Sequence, residues 1–412
     1  MDERARTRVS RDCLVVGGGP AGMVLGLLLA RAGLAVAILE KHADFLRDFR
    51  GDTVHPSTLQ ILDEIGLLER FNLLKQHRVQ ELKIAFGDRL QPFIEFRGLA
   101  PFDYVALVPQ WDFLDLIADA GRKYPGFDLR VSTEAVGLVE EGGRICGVRA
   151  RQGDEEFELR ANVVVACDGR HSRMREAAGF TPIDYGAPMD VLWFRMPRRA
   201  GDPEDVFGRA AFGHMLVLLN RDDYWQAAYV VAKGQAATLR TQPIETFRSG
   251  IARLAPFLAD RTRSIESWDT VKLLEVKVDR LPTWHRPGLL LIGDAAHAMS
   301  PVGGVGINLA VQDAVAAANA LAPALRRGVP DESVLAAVER RRMLPTRLTQ
   351  AVQRQIQKRV ISRALESSGA QLELPAFVRW LLGFAAVRRI PARFMGYGVR
   401  REHVRIGEAT PA

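Results

Sequence analysis

The sequence predicts a mixed α/β (α+β) protein, in which a parallel-sheet α/β domain carries an inserted β-sheet domain and a C-terminal helical cap. Three observations predict this arrangement. The chain opens with a strand, a glycine-rich turn, a helix and a second strand. Two later apolar runs also end in Gly and Asp, and the residues between those runs alternate as in half-buried strands.

The opening unit spans Asp12–Glu40. Its first apolar run, Cys13–Val16, is short and ends at a glycine, which predicts a buried strand. An Ala- and Leu-rich helix over Met23–Ala32 follows, and then a second buried strand over Ala35–Leu39. These elements form the βαβ opening of a Rossmann-like domain.

The turn after the first strand has the pattern G-x-G-x-x-G. Gly17 permits the tight turn, Gly19 lets the backbone approach a pyrophosphate, and Gly22 lets helix and strand pack closely. The N–H groups at the helix start favour an anion, and Glu40 can accept hydrogen bonds from ribose hydroxyls. The pattern predicts dinucleotide binding, with an ordinary glycine-rich loop as the alternative.

The composition is that of a globular chain of two or three structural units, with 412 residues, 48% of them hydrophobic and 25% charged. We expect no membrane span, because no apolar run has the required length, and no secretory signal in Met1–Asp12. The three cysteines lie in or beside strand-like runs and no CxxC occurs, so we expect buried free thiols and a cytoplasmic location.

The net charge of +7 is concentrated near the C-terminus. Residues 326–412 contain 17 Lys/Arg and 7 Asp/Glu, a local balance of +10, which leaves −3 for the rest of the chain. A basic region can bind nucleic acid, but the chain contains no recognised nucleic-acid motif, so we expect no nucleic-acid partner.

The region after Glu40 predicts a short amphipathic helix that ends at Gly66, and strands of a second sheet within residues 79–98. A helix over Asp112–Lys123 follows, with Asp112 as its N-cap. Residues 129–166 then predict a β meander. Its strands are expected at residues 129–131, 136–139, 145–149 and 157–159, with a hairpin turn at Gly142-Gly143.

A separate buried strand is expected over Asn162–Cys167, ending in Asp168-Gly169. Residues 183–280 have few helix signals, and they predict a hairpin with its turn at residues 220–223. They also predict a helix over Ile244–Leu258 and a strand over Val271–Val278.

A third buried strand ends at Gly293-Asp294. A second glycine-rich loop, Pro301–Asn308, then opens an Ala-rich helix over Leu309–Leu325, and the chain reads as helical from Asp331. The expected nucleotide-binding domain comprises residues 10–75, 100–182 and 280–328. The β-rich domain comprises residues 76–99 and 183–279, and the helical cap residues 329–412.

The three glycine-bearing strand ends can meet at one site, because ligands of a parallel sheet bind at the carboxyl ends of its strands. Over about residues 12–325 the chain resembles the FAD-dependent group A aromatic hydroxylases, which are flavoprotein monooxygenases of the para-hydroxybenzoate hydroxylase fold. The resemblance rests on Gly17–Gly22 with Glu40, on Cys167–Arg175 and on Gly293–Asn308, in this order. A glycine often precedes the second signature, and Ala166 stands there.

The resemblance implies roles for residues of these signatures. Asp294 would bond the ribityl chain of FAD, with a turn cap as the alternative, and a helix start would stabilise reduced flavin. The residues implied at the reacting part of the flavin are Arg50, Pro301 and Gly304. The implied FAD contacts are Gly17, Gly19, Pro20, Ala21, Gly22, Glu40, Lys41, Arg50, Gln110, Val136, Asp168, Asp294, Pro301, Gly304, Gly306, Ile307 and Asn308. No metal is expected, because Asp294 and His297 lack a third ligand.

The implied reaction is hydroxylation of an aromatic ring. NADH or NADPH, bound transiently, would reduce the flavin; oxygen would add at C4a as a hydroperoxide, and an electron-rich ring would attack the distal oxygen. A desaturase or reductase of the same fold and a non-catalytic flavin-binding protein stay open as alternatives. A halogenase is disfavoured, because the chain contains no Trp-x-Trp signature.

The substrate is predicted less sharply. The inserted sheet should expose residues to the flavin from strands near residues 191–194 and 214–231. Clustered Arg or Lys is scarce there, which favours a largely apolar aromatic substrate. The candidate contacts, for each of which ordinary sheet packing is an equal alternative, are Trp193, His214, Trp225, Gln226 and Tyr229.

The segment Pro375–Val387 is strongly apolar and is followed by arginines. We expect its apolar side chains to pack on the FAD domain and the arginines to face water. The alternative is a basic, Trp-bearing helix on the surface of an anionic membrane, which would make the protein peripheral to the inner membrane face. The apolar residues concerned are Phe377, Trp380, Leu381 and Phe384. The sequence predicts no particular oligomeric state.

Overall fold

The structure, a computed structural model, describes residues 10–46, 53–86, 89–203, 206–211, 213–366 and 376–409. Its strands are β1 Ser10–Val16, β2 Val36–Leu39, β3 Thr53–Val54, β4 His77–Val79, β5 Glu81–Phe86, β6 Arg89–Glu95, β7 Val105–Leu107, β8 Phe127–Arg130, β9 Thr133–Glu141, β10 Arg144–Gln152, β11 Glu155–Ala166, β12 Ile183–Asp184, β13 Met189–Pro197, β14 Val206–Ala211, β15 His214–Asn220, β16 Tyr224–Ala232, β17 Lys272–Leu274, β18 Asp279–Arg280, β19 His285–Arg286 and β20 Leu289–Leu291.

The α-helices are α1 Pro20–Arg31, α2 Pro56–Glu64, α3 Leu68–Asn72, α4 Gln110–Gly121, α5 Arg173–Ala177, α6 Gln235–Arg240, α7 Ile244–Leu254, α8 Gly306–Leu325, α9 Glu332–Ile356, α10 Ser362–Glu366, α11 Ala376–Leu382 and α12 Ala385–Tyr397. A π-helical turn, Gln357–Ile361, joins α9 to α10. Short 3-10 turns cover Pro256–Ser264, Trp268–Thr270, Gly293–Ala295 and Val302–Gly304.

An eight-stranded sheet contains the strands that precede the three predicted turns. Its strand order is β19-β20-β11-β1-β2-β8, and β10 and β9 continue from β11. The five strands from β20 to β8 run parallel, and Cys13–Val16 of β1 are buried at its centre. The carboxyl ends of β1, β11 and β20 therefore lie next to one another at one edge of the sheet.

The structure corrects the expected meander. The runs expected as two strands form the single strand β11, which pairs with β10 in antiparallel fashion through Glu155–Arg160 and with β1 in parallel through its second half. The strand expected near residue 129 is β8, and it lies at the parallel edge next to β2. Alternation marks where a strand runs, but it does not reveal which neighbour the strand pairs with.

The inserted block forms a seven-stranded sheet in the order β17-β13-β16-β15-β14-β5-β6. One face packs against α7 and the 3-10 turn after it, around Phe194, Trp225 and Phe247. The other face, with Met189, Val191, Ala228 and Val230, packs against Val302 and the end of the α9–α10 helix. This second face is the one that looks towards the glycine-rich loop.

Helix α8 changes the reason given for expecting no membrane span, because one apolar helix does have the required length. With the preceding 3-10 turn it covers Val302–Leu325, which is long and apolar enough to cross a membrane, yet 78% of its most apolar window is buried inside the protein. It packs between α1 and α9, where its small residues allow close helix contacts. Burial of this kind marks a core helix of a globular domain.

Three smaller expectations change at element ends. Helix α4 begins at Gln110, so Asp112 lies within its first turn and is not the N-cap. Helix α7 ends at Leu254, and a 3-10 turn continues where more α-helix was expected. The strand expected over Val271–Val278 is reduced to Lys272–Leu274. Helix and strand ends depend on packing that local patterns do not encode.

The C-terminal helices also differ from expectation. Helix α9 packs on α8 and β19, and α12 packs on β6 and α2. Phe377, Trp380 and Phe384 contact one another instead of packing on the domain of the eight-stranded sheet, and they remain 66%, 61% and 49% exposed. Arg388 does not face water but pairs with Glu95 at 3.2 Å. Arg388 therefore attaches this segment to the rest of the protein, and the aromatic side chains face solvent.

Candidate functional site

The turn after β1 is closely packed at two glycines and open at the third. A methyl group on Gly17, whose φ is +105°, would lie 2.5 Å from the Cys167 carbonyl oxygen. One on Gly22 would lie 2.0 Å from the Gly17 carbonyl oxygen, whereas one on Gly19 would meet nothing within 4 Å. Space for a ligand therefore lies beside Gly19, at the start of α1, which has no side-chain cap.

Glu40 ends β2 and braces the turn. Its Oε2 accepts the Gly18 N–H at 3.0 Å and its Oε1 accepts the His42 N–H at 2.9 Å. A carboxylate oxygen can accept more than one hydrogen bond, and an acid at this strand end is the residue type that binds ribose hydroxyls. The Glu40 carbonyl accepts the Thr133 N–H at 2.9 Å, which brings β9 and the half-buried Val136 alongside.

Asp168 follows β11 and adjoins the same turn, since its Cα lies 2.9 Å from the methyl position of Gly17. Its Oδ2 accepts the Met174 N–H at 3.1 Å, and Oδ1 has no hydrogen-bond partner among the described residues. Burial raises the pKa of Asp168 above its ordinary value. An acceptor without a partner suits a ligand that brings donors.

The third turn follows β20. Gly293 packs against Ala21, at 3.4 Å from its methyl position, so the starts of the first and third turns are in contact. The Asp294 carboxylate lies 3.5 Å from Arg170, the second residue after Asp168. The three turns that the sequence places far apart therefore meet at one edge of the sheet, with Pro20 and Ala21 opening α1 between them.

The second glycine-rich loop is held by residues that the sequence did not single out. The Gly304 carbonyl accepts a hydrogen bond from Thr53 Oγ1 at 2.9 Å, and His55 Nε2 lies 3.2 Å from the same oxygen. Burial lowers the pKa of His55 to about 4, so this imidazole is neutral at pH 7. Thr53 and His55 belong to no recognised motif, so the sequence carries no signal that would have predicted this contact.

Asn308, in the first turn of α8, is buried. Its Oδ1 accepts hydrogen bonds from Ser57 and, at 3.0 Å, from Thr58, while its Nδ2 has no partner among the described residues. Gly306 and Ile307 precede it, and a methyl group on Gly306 would meet nothing within 4 Å. The first N–H groups of α8 have no intrahelical acceptor, and the space beside Gly306 is open.

His297 has a structural place. Its Nε2 lies 2.6 Å from Asp313 Oδ2, and Asp313 Oδ1 accepts the Arg342 Nε–H at 2.8 Å. Burial alone would raise the pKa of Asp313, but the His297 and Arg342 charges hold that pKa below its ordinary value. Asp313 also accepts the Gly293 N–H at 3.1 Å, so this buried cluster ties α9 to the third turn.

Three of the remaining predicted residues are less informative. Gln110 is the first residue of α4 and is half-buried, and Lys41 is exposed after Glu40. Arg50 lies outside the described residues. Among the residues that the structure covers, no three His, Cys, Asp or Glu side chains are grouped closely enough to hold a metal ion.

Strand alternation corrects the candidate substrate contacts. Trp193 lies on the face that looks towards Val302, and its indole N–H has no partner among the described residues. Trp225 and Tyr229 lie on the opposite face in the cluster around Phe247, and the His214 ring packs on Tyr229.

Side chains alternate between faces along a strand, so His214, Trp225 and Tyr229 are not substrate contacts of the face towards the loop. Gln226 shares a face with Ala228, but its Oε1 accepts the Arg221 Nε–H at 3.0 Å. Of the five candidate substrate contacts, Trp193 alone lies on the face towards the loop and also has a polar atom without a partner among the described residues.

These residues fit FAD. Open space and helix N–H groups at Gly19 suit a pyrophosphate, Glu40 and Asp294 offer acceptors for hydroxyls, and the α8 start offers donors for a flavin carbonyl. A family model described as "FAD binding domain" matches residues 10–352. The chain belongs to this FAD-binding family. Its cofactor is FAD, as the resemblance implied.

Named relatives refine the family. The chain is 34% identical over 346 residues to 6-methylpretetramide 4-monooxygenase of Streptomyces rimosus, covering 83% of this chain and 82% of that protein. It is 29% identical to rifampicin monooxygenase of Streptomyces venezuelae, covering 74% of this chain but only 62% of that longer protein. The enzyme class is therefore flavoprotein monooxygenase, and the group A hydroxylase family expected from the motifs is confirmed.

Solved structures confirm the fold. PqsL of Pseudomonas aeruginosa, a probable FAD-dependent monooxygenase, superposes with a TM-score of 0.75 over 86% of this chain and 98% of its own, at 21% sequence identity. At that identity the likeness shows the architecture alone. The mixed α/β fold with an FAD-binding domain is thus the one that the sequence predicts.

Proposed function

We propose that the chain hydroxylates a fused-ring, largely apolar aromatic substrate with NAD(P)H and O2. The observation that carries this proposal is the apolar face of the seven-stranded sheet opposite the Pro301–Val302 loop, with Trp193 on it. The side chains of this face that pack with Val302 are apolar, and a flat ring can lie between them and the loop. The same face also carries the polar residues Arg195, Gln226 and Lys272. The relative named for 6-methylpretetramide supports a large substrate.

The polar atom of this face narrows the substrate class. The Trp193 indole N–H is inaccessible to solvent and has no partner among the described residues. A buried donor of this kind costs stability unless a ligand supplies an acceptor. A phenolic or carbonyl oxygen on the substrate would accept this hydrogen bond and orient the ring.

Bound FAD would supply the activation of oxygen, while the chain binds, orients and shields the reactants. Gly17, Gly19, Gly22 and Glu40 would hold its adenosine diphosphate part, with Pro20, Ala21, Lys41 and Val136 around it. Asp294, Asp168 and Gln110 would hold the ribityl region. Pro301, Gly304, Gly306, Ile307 and Asn308 would face the flavin, with Arg50 as an expected further contact.

A substrate panel tests the hydroxylase proposal. We expect FAD-loaded protein to consume NAD(P)H faster when fused-ring phenols are present, and to place one atom from ¹⁸O2 into the product. Trp193→Phe should raise the KM for the best substrate about tenfold, because it removes one hydrogen bond to the ring. Electron transfer to another acceptor, with no ¹⁸O in any product, would favour a reductase or desaturase of the same fold.

Glu40→Ala tests the cofactor assignment. We expect the FAD dissociation constant to rise by about tenfold or more, because the variant loses a ribose acceptor and the brace of the Gly18 N–H. Leu73→Ala, at a residue that is 86% exposed, serves as the control. Unchanged FAD affinity in Glu40→Ala would contradict the assignment.

We propose further that the protein works in the cytoplasm with peripheral contact to an anionic membrane surface. The support is the exposed cluster of Phe377, Trp380 and Phe384 beside basic residues, with no acidic residue in 376–401. Aromatic residues of this kind favour the boundary between water and lipid, and anionic lipids attract arginines.

A further inference from the structure

Two neighbouring side chains, Thr53 in strand β3 and His55 directly after it, contact the same carbonyl in the glycine-rich loop. Thr53 Oγ1 donates to the Gly304 carbonyl at 2.9 Å, and His55 Nε2 lies 3.2 Å from it. β3 is itself held by β7, through Thr53 opposite Leu107. The loop is therefore attached to a small sheet outside the two large ones.

The clamped residue has an unusual backbone. Gly303 and Gly304 have φ values of +81° and +63°, in the left-handed region. A methyl group on Gly304 would lie 2.4 Å from Thr53 Oγ1, so the loop and β3 are in direct contact there. This conformation turns the Gly304 carbonyl out of the α8 helix, and the first regular α-helical bond runs from the Leu309 N–H to the Val305 carbonyl at 3.0 Å.

The direction of one carbonyl sets the direction of the next N–H. In a trans peptide the C=O and N–H groups point to opposite sides, so a Gly304 carbonyl held towards β3 turns the Val305 N–H away from β3. The N–H groups of the first α8 turn have no intrahelical acceptor and follow that orientation. A donor set fixed in this way costs little reorganisation when an acceptor binds.

We propose that Thr53 and His55 are positioning residues for the flavin. They hold the Gly304 peptide so that the Val305 N–H and the start of α8 face the N1–C2=O edge of the ring, where two-electron reduction places negative charge. The inference rests on the proposed function, in which this loop faces the flavin. His55 acts as a neutral donor, because its burial disfavours the charged imidazolium.

Matched variants separate the hydrogen bonds from the packing. Thr53→Val removes the hydroxyl at nearly constant volume, and Thr53→Ser keeps it. His55→Leu removes the donor, and His55→Gln keeps an N–H donor. The measurements are FAD binding to apoprotein, the flavin midpoint potential, and the melting temperature of the apoprotein.

We expect Thr53→Val and His55→Leu each to weaken FAD binding about threefold to tenfold and to lower the midpoint potential, because the reduced flavin loses more stabilisation than the oxidised one. Thr53→Ser and His55→Gln should stay near wild type in both. The double variant should lower the potential further than either single variant.

Two results would overturn the inference. One is an unchanged potential in Thr53→Val and His55→Leu with a lowered apoprotein melting temperature, which would make the contacts structural only. The other is an equal fall in the Ser and Gln variants. Failure of wild-type protein to bind FAD at all would instead refute the proposed cofactor site, so the two failures are distinguishable.

Discussion

The glycine turns at the ends of β1, β11 and β20 differ from the helices after Asp331 in where their polar and apolar groups lie. In the turns, small residues pack backbone against backbone, and Asp168 Oδ1 is left without a partner among the described residues. In the helical region the buried Arg342 pairs with Asp313 of α8, while Trp380 is 61% exposed.

This difference separates a binding region from a supporting one. The turns keep unpaired polar groups because a ligand can pair with them, at a cost in stability for the empty protein. The helices after Asp331 bind the third turn through Asp313. Thr346 Oγ1, Gln353 Oε1 and Arg388 Nε lack partners there, but no buried carboxylate oxygen of these helices does among the described residues. Substitutions in the two regions should therefore fail in different ways.

The largest expected effect is at Gly22. Gly22→Val places a side chain where even a methyl group would lie 2.0 Å from the Gly17 carbonyl oxygen, so the turn must move. We expect loss of FAD binding and little folded protein, measured by flavin absorbance and circular dichroism.

Gly19→Ala is the matched control, since its methyl group would meet nothing within 4 Å. We expect this variant to keep the melting temperature of the wild-type apoprotein and to weaken FAD binding, because the added group enters the space proposed for the pyrophosphate. If Gly22→Val kept both fold and flavin, the contrast between packed and open glycines would be wrong.

A second test concerns the supporting region. Arg342→Met leaves Asp313 buried without its guanidinium, and breaking a buried ion pair costs about 3–5 kcal/mol. We expect the free energy of unfolding in urea to fall by about that amount. Arg341→Met removes a partly exposed partner of Glu402 and should cost about 1 kcal/mol or less. Similar losses in both variants would contradict the distinction.

Much of the fold and of the binding turns could be predicted, because their signals are local. A strand, a glycine turn and a helix lie within a short stretch of sequence, and glycine has few physical substitutes at Gly17, whose φ is +105°. The hairpin turn at Gly142-Gly143, where φ is +58° and +77°, is a local signal of the same kind.

What could not be predicted depends on contacts between distant residues. The pairing partners of β11 and the face of Trp225 follow from sheet register, which alternation alone leaves open. Thr53 and Gly304 are distant in sequence, and neither residue type signals the other. The apolar run around Trp380 looked like a packing stripe, and only the position of Arg388 beside Glu95 shows which side faces the protein.

A third test uses pH. The pKa of His55 falls from an ordinary 6.5 to about 4 in the folded chain. The unfolded chain therefore binds a proton below pH 6.5 while the folded chain does not, and stability is lost as pH falls from 6.5 towards 4. The full difference corresponds to about 3 kcal/mol.

We expect the free energy of unfolding of His55→Gln to depend less steeply on pH between 6.5 and 4 than that of the wild type. At pH 7.5 the two proteins should be closer in stability than at pH 4.5. Carboxylates that titrate in this range are common to both proteins and cancel in the comparison. Parallel pH profiles would show that His55 is not buried as a neutral imidazole.

The smallest expected effect on stability is at the exposed aromatic cluster. Phe377→Ser and Trp380→Ser together should change the free energy of unfolding by about 0.5 kcal/mol or less per site, because both side chains are mostly exposed, at 66% and 61%.

The same double variant should reduce co-sedimentation with anionic vesicles at least tenfold at low salt, because the apolar contact with lipid is lost. Leu73→Ser removes a more exposed apolar side chain elsewhere, at 86%, and this variant should pellet like the wild type. Arg388 is left unchanged, since its pairing with Glu95 would confuse membrane binding with folding. If wild-type protein stayed in the supernatant with vesicles of 40% anionic lipid at about 20 mM salt, where charge attraction is strongest, the membrane proposal would fail. The aromatic cluster would then be an exposed apolar surface that binds no membrane.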